Sequence, residues 1–281
     1  MFDLSVRNKY GQVLSLTRNT NYTIVSIEGL DPADASVYFT RNAGGDGSSY
    51  NSAYVDNKVI IINLAIESPV EDNRINLYKY FKNKYPVRLF YKNGSRDVYI
   101  DGYCKTTHIG FFDKKQIAQI TIECPDPFFI GRDNQMIEFS NVEKLFEFPF
   151  SIIEPIPFSE IVSDYEKSLL NYGDIEVGFE IHLKANSSVT NPGLLNTETG
   201  EYMKISFIID SGEEIYINTK TDEKTIKYVS NGVSIDILQY MIQGSSWLTL
   251  TPGDNLFMVT ADSGADNLEA YCIINDKYEG V

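Results

Sequence analysis

The sequence predicts a mainly β protein of two domains. An N-terminal β-sandwich or split-barrel-like domain with one α-helix occupies residues 1–133, and a C-terminal jelly-roll β-sandwich occupies residues 134–281. Three observations carry this reading. The length of 281 residues exceeds what one hydrophobic core usually serves. Apolar side chains recur at every second position in run after run, with one stretch of helical spacing near residue 70. Finally, Cys124-Pro125-Asp126-Pro127-Phe128-Phe129 ends the alternating segment Gln116 to Glu123. Its prolines remove ladder donors and hold the residues before them extended, so a strand stops there and a stiff, aromatic-anchored junction between two folded units follows.

In the first domain, Tyr22 to Ile27 and Lys58 to Ile66 alternate as strands do. Between them, Asn42 to Ser49 reads as a polar loop whose glycines tolerate positive φ. Ser68-Pro69-Val70-Glu71 reads as a helix start, with Ser68 as cap, Pro69 in the first turn and Glu71 closing a capping box. Val70, Ile75, Leu77, Tyr78 and Phe81 form the expected apolar stripe, and Asn83 and Pro86 bound its end. Asn93-Gly94, between Val87–Tyr91 and Asp97–Tyr103, signals a hairpin. A second hairpin is expected to turn at Asp113-Lys114-Lys115 and return from Ile117 to Cys124.

The second domain reads as all β. Ile175, Val177, Phe179, Ile181 and Leu183 mark one face of a strand, with Glu176, Glu180, His182 and Lys184 on the other. Met203, Ile205, Phe207 and Ile209 repeat the period. Further strands are expected at Ile215–Ile217, Ile226–Val229, Val233–Ile237, Leu256–Val259 and Leu268–Ile274, with Asn231-Gly232 as a tight turn. Phe148 to Phe158 holds too many prolines for a central strand and reads as an extended edge or inter-domain segment.

Composition narrows the function classes. With 24 Lys and Arg against 39 Asp and Glu, the formal net charge of −15 opposes specific nucleic-acid binding. Nineteen tyrosines exceed the needs of core filling and suit half-buried sheet faces and interfaces. Cys104, Cys124 and Cys272 are odd in number and form no C-x-x-C pair, which argues against a disulfide framework or structural zinc. No signal peptide precedes the first strand and no apolar run approaches membrane-spanning length, so synthesis in a reducing cytoplasm without membrane insertion is expected.

No catalytic, cofactor-binding or metal-binding residue is assigned. His182 falls on the solvent face of its strand, and His108 has no acid or cysteine at ligand spacing. No G-x-S-x-G elbow is present. The Gly44-Gly45-Asp46-Gly47-Ser48 loop lacks the lysine and glycine spacing of a phosphate cradle and reads as a hairpin connection or subunit contact. Glu213-Glu214 reads as exposed turn acids, and Asp262 to Asn267 as a polar turn rather than a calcium loop. Trp247 suits a structural place, with sugar stacking as the alternative.

Taken together, these motifs resemble the distal tail protein family of long-tailed phages and prophages of Gram-positive bacteria. In the first domain the likeness rests on Gly45-Asp46-Gly47 with Tyr50, Ile60 to Ile66, the helix from Pro69, Tyr99-Ile100-Asp101-Gly102-Tyr103, and Ile122 to Phe129. In the second it rests on Trp247-Leu248-Thr249-Leu250, Pro252-Gly253-Asp254-Asn255 and Tyr278-Glu279-Gly280-Val281. Lys58 stands where the family pattern tends to have Arg, and Phe148 to Ser168 carries no matching motif.

The resemblance implies a non-enzymatic hub at the virion tail tip, assembled in the bacterial host cytoplasm, with a galectin-like second domain. It implies a homo-hexamer whose first domains close into a ring joining the tail tube protein to the tail-tip, tail-associated protein. The second domain would anchor receptor-binding or other peripheral proteins. An acidic chain is compatible with a conduit through which DNA passes without being retained. The competing reading is a carbohydrate-binding protein that recognises host cell-wall glycan through its C-terminal sandwich; an acid-catalysed hydrolase is a third.

Overall fold

The structure is a computed structural model that describes residues 2–110, 115–143, 160–163 and 166–281; for Ser140–Glu143 and Glu160–Ser163 it describes the backbone alone. The expected turn residues Asp113 and Lys114, and the proline-rich Phe148 to Phe158, lie outside the described residues. The chain divides into two compact units, Met1–Asp133 with Lys277–Val281, and Asn134–Asp276. The last five residues, expected with the second domain, therefore belong to the first unit.

The first unit contains β1 (Asp3–Asn8), β2 (Val13–Ser15), β3 (Tyr22–Glu28), β4 (Ala35–Arg41), β5 (Ser48–Val55) and β6 (Lys58–Ile66). Helix α1 (Val70–Tyr80) follows, then β7 (Pro86–Lys92), β8 (Asp97–Ile109), β9 (Ile117–Cys124) and β10 (Phe129–Gly131). Its main sheet runs β2-β1-β7-β8-β9-β6-β3, with an open path between the end strands. Alternate residues from all seven of these strands except β2's outer positions meet Leu77 and Phe81 of the helix region in a single apolar core. One sheet and one helix share this core, the mainly β form with a single helix that the sequence predicts.

The helix starts one residue later than a Ser68 cap requires. Pro69 is the N-cap and makes no side-chain capping bond. Asn73 holds the first turn instead: its side-chain amide donates to the Glu67 carbonyl (2.9 Å), and its carbonyl accepts from the buried Tyr22 hydroxyl (2.8 Å). The buried stripe is Asn73 and Leu77, continued by Phe81, whereas Ile75 and Tyr78 of the expected stripe are exposed. Tertiary hydrogen bonding to Tyr22 has turned the helix relative to the purely apolar reading.

The Cys124 to Phe129 segment is a corner within the first unit. Strand β8 is thirteen residues long; its second half pairs with β9, and near its start Tyr99 faces Ile130 of β10. The prolines end β9 at Cys124, and the chain turns to re-enter the same sheet as β10, seating Phe129 in the core. Gly102 lies under this corner. A Cβ there would sit 2.6 Å from Ile122 Cγ2 and 2.7 Å from Cys124 Sγ, so only glycine lets the strands close.

The second unit contains β11 (Gln135–Glu138), β12 (Ser140–Glu143), β13 (Glu160–Ser163), β14 (Glu166–Asn171), β15 (Glu180–Ala185), β16 (Val189–Thr190), β17 (Gly193–Asn196) and β18 (Tyr202–Lys204). It continues with β19 (Ile208–Ile209), β20 (Glu214–Asn218), β21 (Thr225–Ser230), β22 (Val233–Asp236), β23 (Gly253–Thr260) and β24 (Leu268–Ile274). A six-stranded sheet, β11-β24-β15-β20-β21-β22, and a four-stranded sheet, β14-β23-β17-β18, share one core, where Phe179 meets Phe257 edge-on at 5.6 Å. This is the expected sandwich. Strand β15 begins at Glu180, later than the alternation suggested, although Val177 and Phe179 are buried as that alternation requires. Asn231 and Gly232 both take positive φ (49° and 76°), the geometry of a two-residue hairpin turn.

The chain then returns to the first unit as β25 (Lys277–Tyr278), pairing with β10 through Phe129 and Tyr278. Lys58 fixes this return. Its side chain is 1% exposed, and its ammonium donates to the carbonyls of Asp31 (2.6 Å) and Glu279 (2.9 Å) beneath the Phe129 ring. Desolvation lowers its pKa, with nearby acids opposing the shift.

The net charge is unevenly divided. Residues 1–133 with 277–281 hold 17 Lys and Arg, including all seven arginines, against 16 acids; residues 134–276 hold 7 against 23. The acidity expected to keep a conduit free of DNA therefore lies in the second unit, while the unit expected to form the ring is nearly neutral.

Deleting residues 277–281 removes one of the two carbonyls that accept from Lys58, a hydrogen bond to a charge worth about 1.5–3 kcal/mol. The first unit is expected to unfold at lower urea concentration while the second keeps its midpoint, read by hydrogen exchange resolved to each unit. Buried Cys104, Cys124 and Cys272 supply a pH test. Desolvation raises all three thiols, Cys124 to about 12, so the folded state holds protons that the unfolded state releases above the ordinary thiol value near 9. Stability should fall as pH rises from 9 toward 12, and less steeply in Cys124→Ala, measured by urea unfolding at each pH. Lys58 acts in the opposite sense, since its buried charge is relieved as pH rises.

Candidate functional site

The side chains with chemical potential do not converge. His108 is exposed on β8. His182 lies on the outer sheet face but is only 14% exposed, its ring stacked 4.2 Å from Tyr271 and edge-on to Tyr216 at 5.0 Å. Its Nδ1 donates to the Glu214 carboxylate, so the expected free surface histidine is a packed, structural one. Glu213 accepts from the Tyr228 hydroxyl, the leading cause of its lowered pKa, and from Ser230 and the Asp210 amide. Glu213 and Glu214 are thus separately engaged. Asp262 pairs with Lys204 and accepts from Asn191 (2.7 Å), and these bonds hold its pKa low. Among the described residues, no group of three or more His, Cys, Asp or Glu side chains is placed to hold a metal ion.

Trp247 is half-buried, packed against the sandwich core, with the Lys224 ammonium 5.4 Å from its ring centroid. Leu248 and Leu250 on the opposite face are buried, and Leu250 bridges to Val177.

What the structure does assemble is an arm. Strands β4 and β5 form a two-stranded sheet of their own, joined through the Gly44-Gly45-Asp46-Gly47 loop. Val37, Tyr38, Phe39, Tyr50, Tyr54 and Val55 are 40–63% exposed on it. Cross-strand pairs hold it: Tyr38 stacks on Tyr54 at 5.7 Å with hydroxyls 2.7 Å apart, Phe39 meets Tyr50 edge-on at 6.2 Å, and Thr40 bonds Asn51. Such pairs contribute roughly 0.2–1 kcal/mol each, and an isolated two-stranded hairpin is marginal in water. Six large apolar side chains kept in solvent on such an arm are the signature of a surface completed by another molecule. Its base is pinched where the Asp56 amide donates to the Asp34 carbonyl (2.8 Å). The loop was legible from its glycines but the strands were not, because both faces are exposed and no apolar–polar alternation marks them.

A second surface lies on the outer face of the main sheet of the first unit. Arg7, Arg88 and Asp101 stand side by side on β1, β7 and β8. Arg88 clamps Asp101 with two bonds of 2.6 Å and lies 3.9 Å from the Tyr99 ring centroid; Phe90 has Arg7 at 5.5 Å and Arg132 at 5.3 Å from its own. Arginine interleaved with aromatic rings is the composition of protein interfaces.

The described residues thus form a sheet-plus-helix unit and a sandwich unit, with an exposed aromatic arm on the first. Residues 172–271 match the siphovirus-type tail component, C-terminal domain, family. The chain also shares its fold with the crystal structure of SPP1 Dit (gp 19.1), described as a paradigm of the hub adsorption apparatus in Gram-positive-infecting phages: TM-score 0.70, 13% identity, 98% of each chain covered. It matches chains of the phage P2 baseplate in its activated conformation, with Ca at TM-score 0.55 and 11% identity and with Sr at 0.54 and 12%, each over 100% of both chains. No curated protein matches the sequence. These findings bear out the resemblance to distal tail proteins.

Because no arm side chain is among the described residues of the first unit's core, Tyr38→Ala and Tyr50→Ala should change unfolding free energy of the first unit by no more than about 0.5 kcal/mol, measured by urea denaturation. A loss of several kcal/mol would show instead that the arm packs on its own domain.

Proposed function

We propose that this protein is a structural distal tail protein at the virion tail tip, whose first unit closes into a hexameric ring between the tail tube and the tip. The second unit serves as the anchor for receptor-binding or other peripheral proteins. The solvent-exposed aromatic arm carries this reading, supported by the tail-component family match and the fold shared with hub and baseplate proteins.

A closing ring needs two different patches per subunit, one donated and one received. The arm supplies a donated patch at small cost to its own domain, since tyrosine and phenylalanine bury about 150–250 Å2 each when covered. The charge division fits the two roles. A nearly neutral first unit packs against copies of itself without long-range repulsion, whereas a second unit with 23 acids against 7 lysines is self-repelling and suits display around a ring. The half-buried packing of Trp247 under Lys224 favours this structural role over glycan recognition through that side chain.

Light scattering on the purified chain is expected to give about sixfold the 31.8 kDa mass of one copy. Replacing residues 35–55 by a short glycine linker between Asp34 and Asp56 should give a folded monomer. A ring that survives removal of the arm would overturn the assignment of ring closure to it.

A further inference from the structure

Resting on the ring reading, we propose that the arm tip of one copy docks in a cationic groove on the first unit of the next copy, Asp46 meeting Arg7 and Lys9. The groove is open, about 610 Å3 in volume, and its lining includes Arg7, Lys9, Pro86, Arg88, Tyr103 and Pro125.

Charge accounting within the groove singles out two cations. Arg88 is committed to Asp101 through its two-bond clamp, and Asp126 to Lys277 at 2.6 Å. Arg7 is half-buried against the Phe90 ring, and Lys9 lies 3.7 Å from the Tyr85 ring centroid and 4.9 Å from that of Tyr10. Among the described residues no carboxylate reaches either one within ion-pair distance. A guanidinium already oriented by an aromatic ring loses little freedom on meeting a carboxylate and offers it a two-pronged donor.

The arm supplies the complement. Between Asp34 and Asp56 it carries three acids against the single cation Arg41. Asp56 accepts from the Ser36 hydroxyl, whereas Asp46 is exposed at the tip. Gly44, Gly45 and Gly47 surround it, and space is open where their Cβ atoms would stand, so the tip is a thin wedge led by one carboxylate. Phe39 and Tyr50 behind the tip would then meet Tyr103 and Pro86 at the rim. The donated and received patches differ, as head-to-tail closure requires. Asp101 and Asp126 in the same groove disfavour a polyphosphate occupant such as DNA and favour a partner bringing one acid among apolar side chains.

The test is a charge exchange on the full chain, with ring mass followed by light scattering across a dilution series. Arg7→Glu with Lys9→Glu should raise the concentration at which the ring dissociates about tenfold or more, and Asp46→Lys alone should do the same. Combining Arg7→Glu with Asp46→Lys should restore the wild-type midpoint at least in part. Asp46 is exposed, so its variant reports on docking without a folding defect, and circular dichroism with thermal melting checks the others. A wild-type ring whose midpoint is unmoved by either reversal, or reversals that are not rescued in combination, would overturn the docking and leave the ring reading standing. A wild-type chain that stays monomeric at every concentration would remove both.

Discussion

The buried ammonium of Lys58 is the constraint on which the first unit depends. It sits at the start of β6, beneath Phe129 of the proline corner, and bonds carbonyls from the segment after β3 and from the final residues of the chain. Among the described residues its hydrogen-bond acceptors are two peptide carbonyls, with an aromatic face beside them, so the charge is satisfied by chain position rather than by side-chain choice. Each acceptor must arrive for the others to be worth burying. The corner, the β3 exit and the returning terminus therefore order together.

That arrangement gives the acids and arginines of the chain different jobs. In the second unit, carboxylates pair with lysines, hydroxyls and amides on the surface of a sandwich built around a large hydrophobic cluster. In the first unit, arginines lie on aromatic rings of an open sheet face. The first pattern solubilises; the second is poised for contact. A net charge taken over the whole chain averages the two and conceals both.

Much of the fold was legible in the sequence where one face of an element is buried. Lys58–Ile66 alternates because every second residue enters the core, and Asn231-Gly232 marks its turn because few other pairs take positive φ twice. The reading failed where burial is not the organising force. The arm strands have two wet faces, so Ala35–Arg41 and Ser48–Val55 show no period; β1, β11, β14 and β17 escaped notice for a different reason, their length of only four to six residues. The helix cap was misplaced because Asn73 and Tyr22, fifty-one residues apart, outweigh a local serine. The groove was invisible for a similar reason: Arg7, Arg88 and Asp101 are neighbours only through strand register.

The pairing of β10 with β25 makes the acidic sandwich an insertion between two adjacent strands of one sheet. A module inserted in this way is joined to the first unit by two chain crossings rather than one. If a protease nicks an exposed loop of that sandwich, each resulting half is still continuous with a strand of the first unit's sheet, so the cut sandwich stays tethered where a module joined at one end would lose its distal piece.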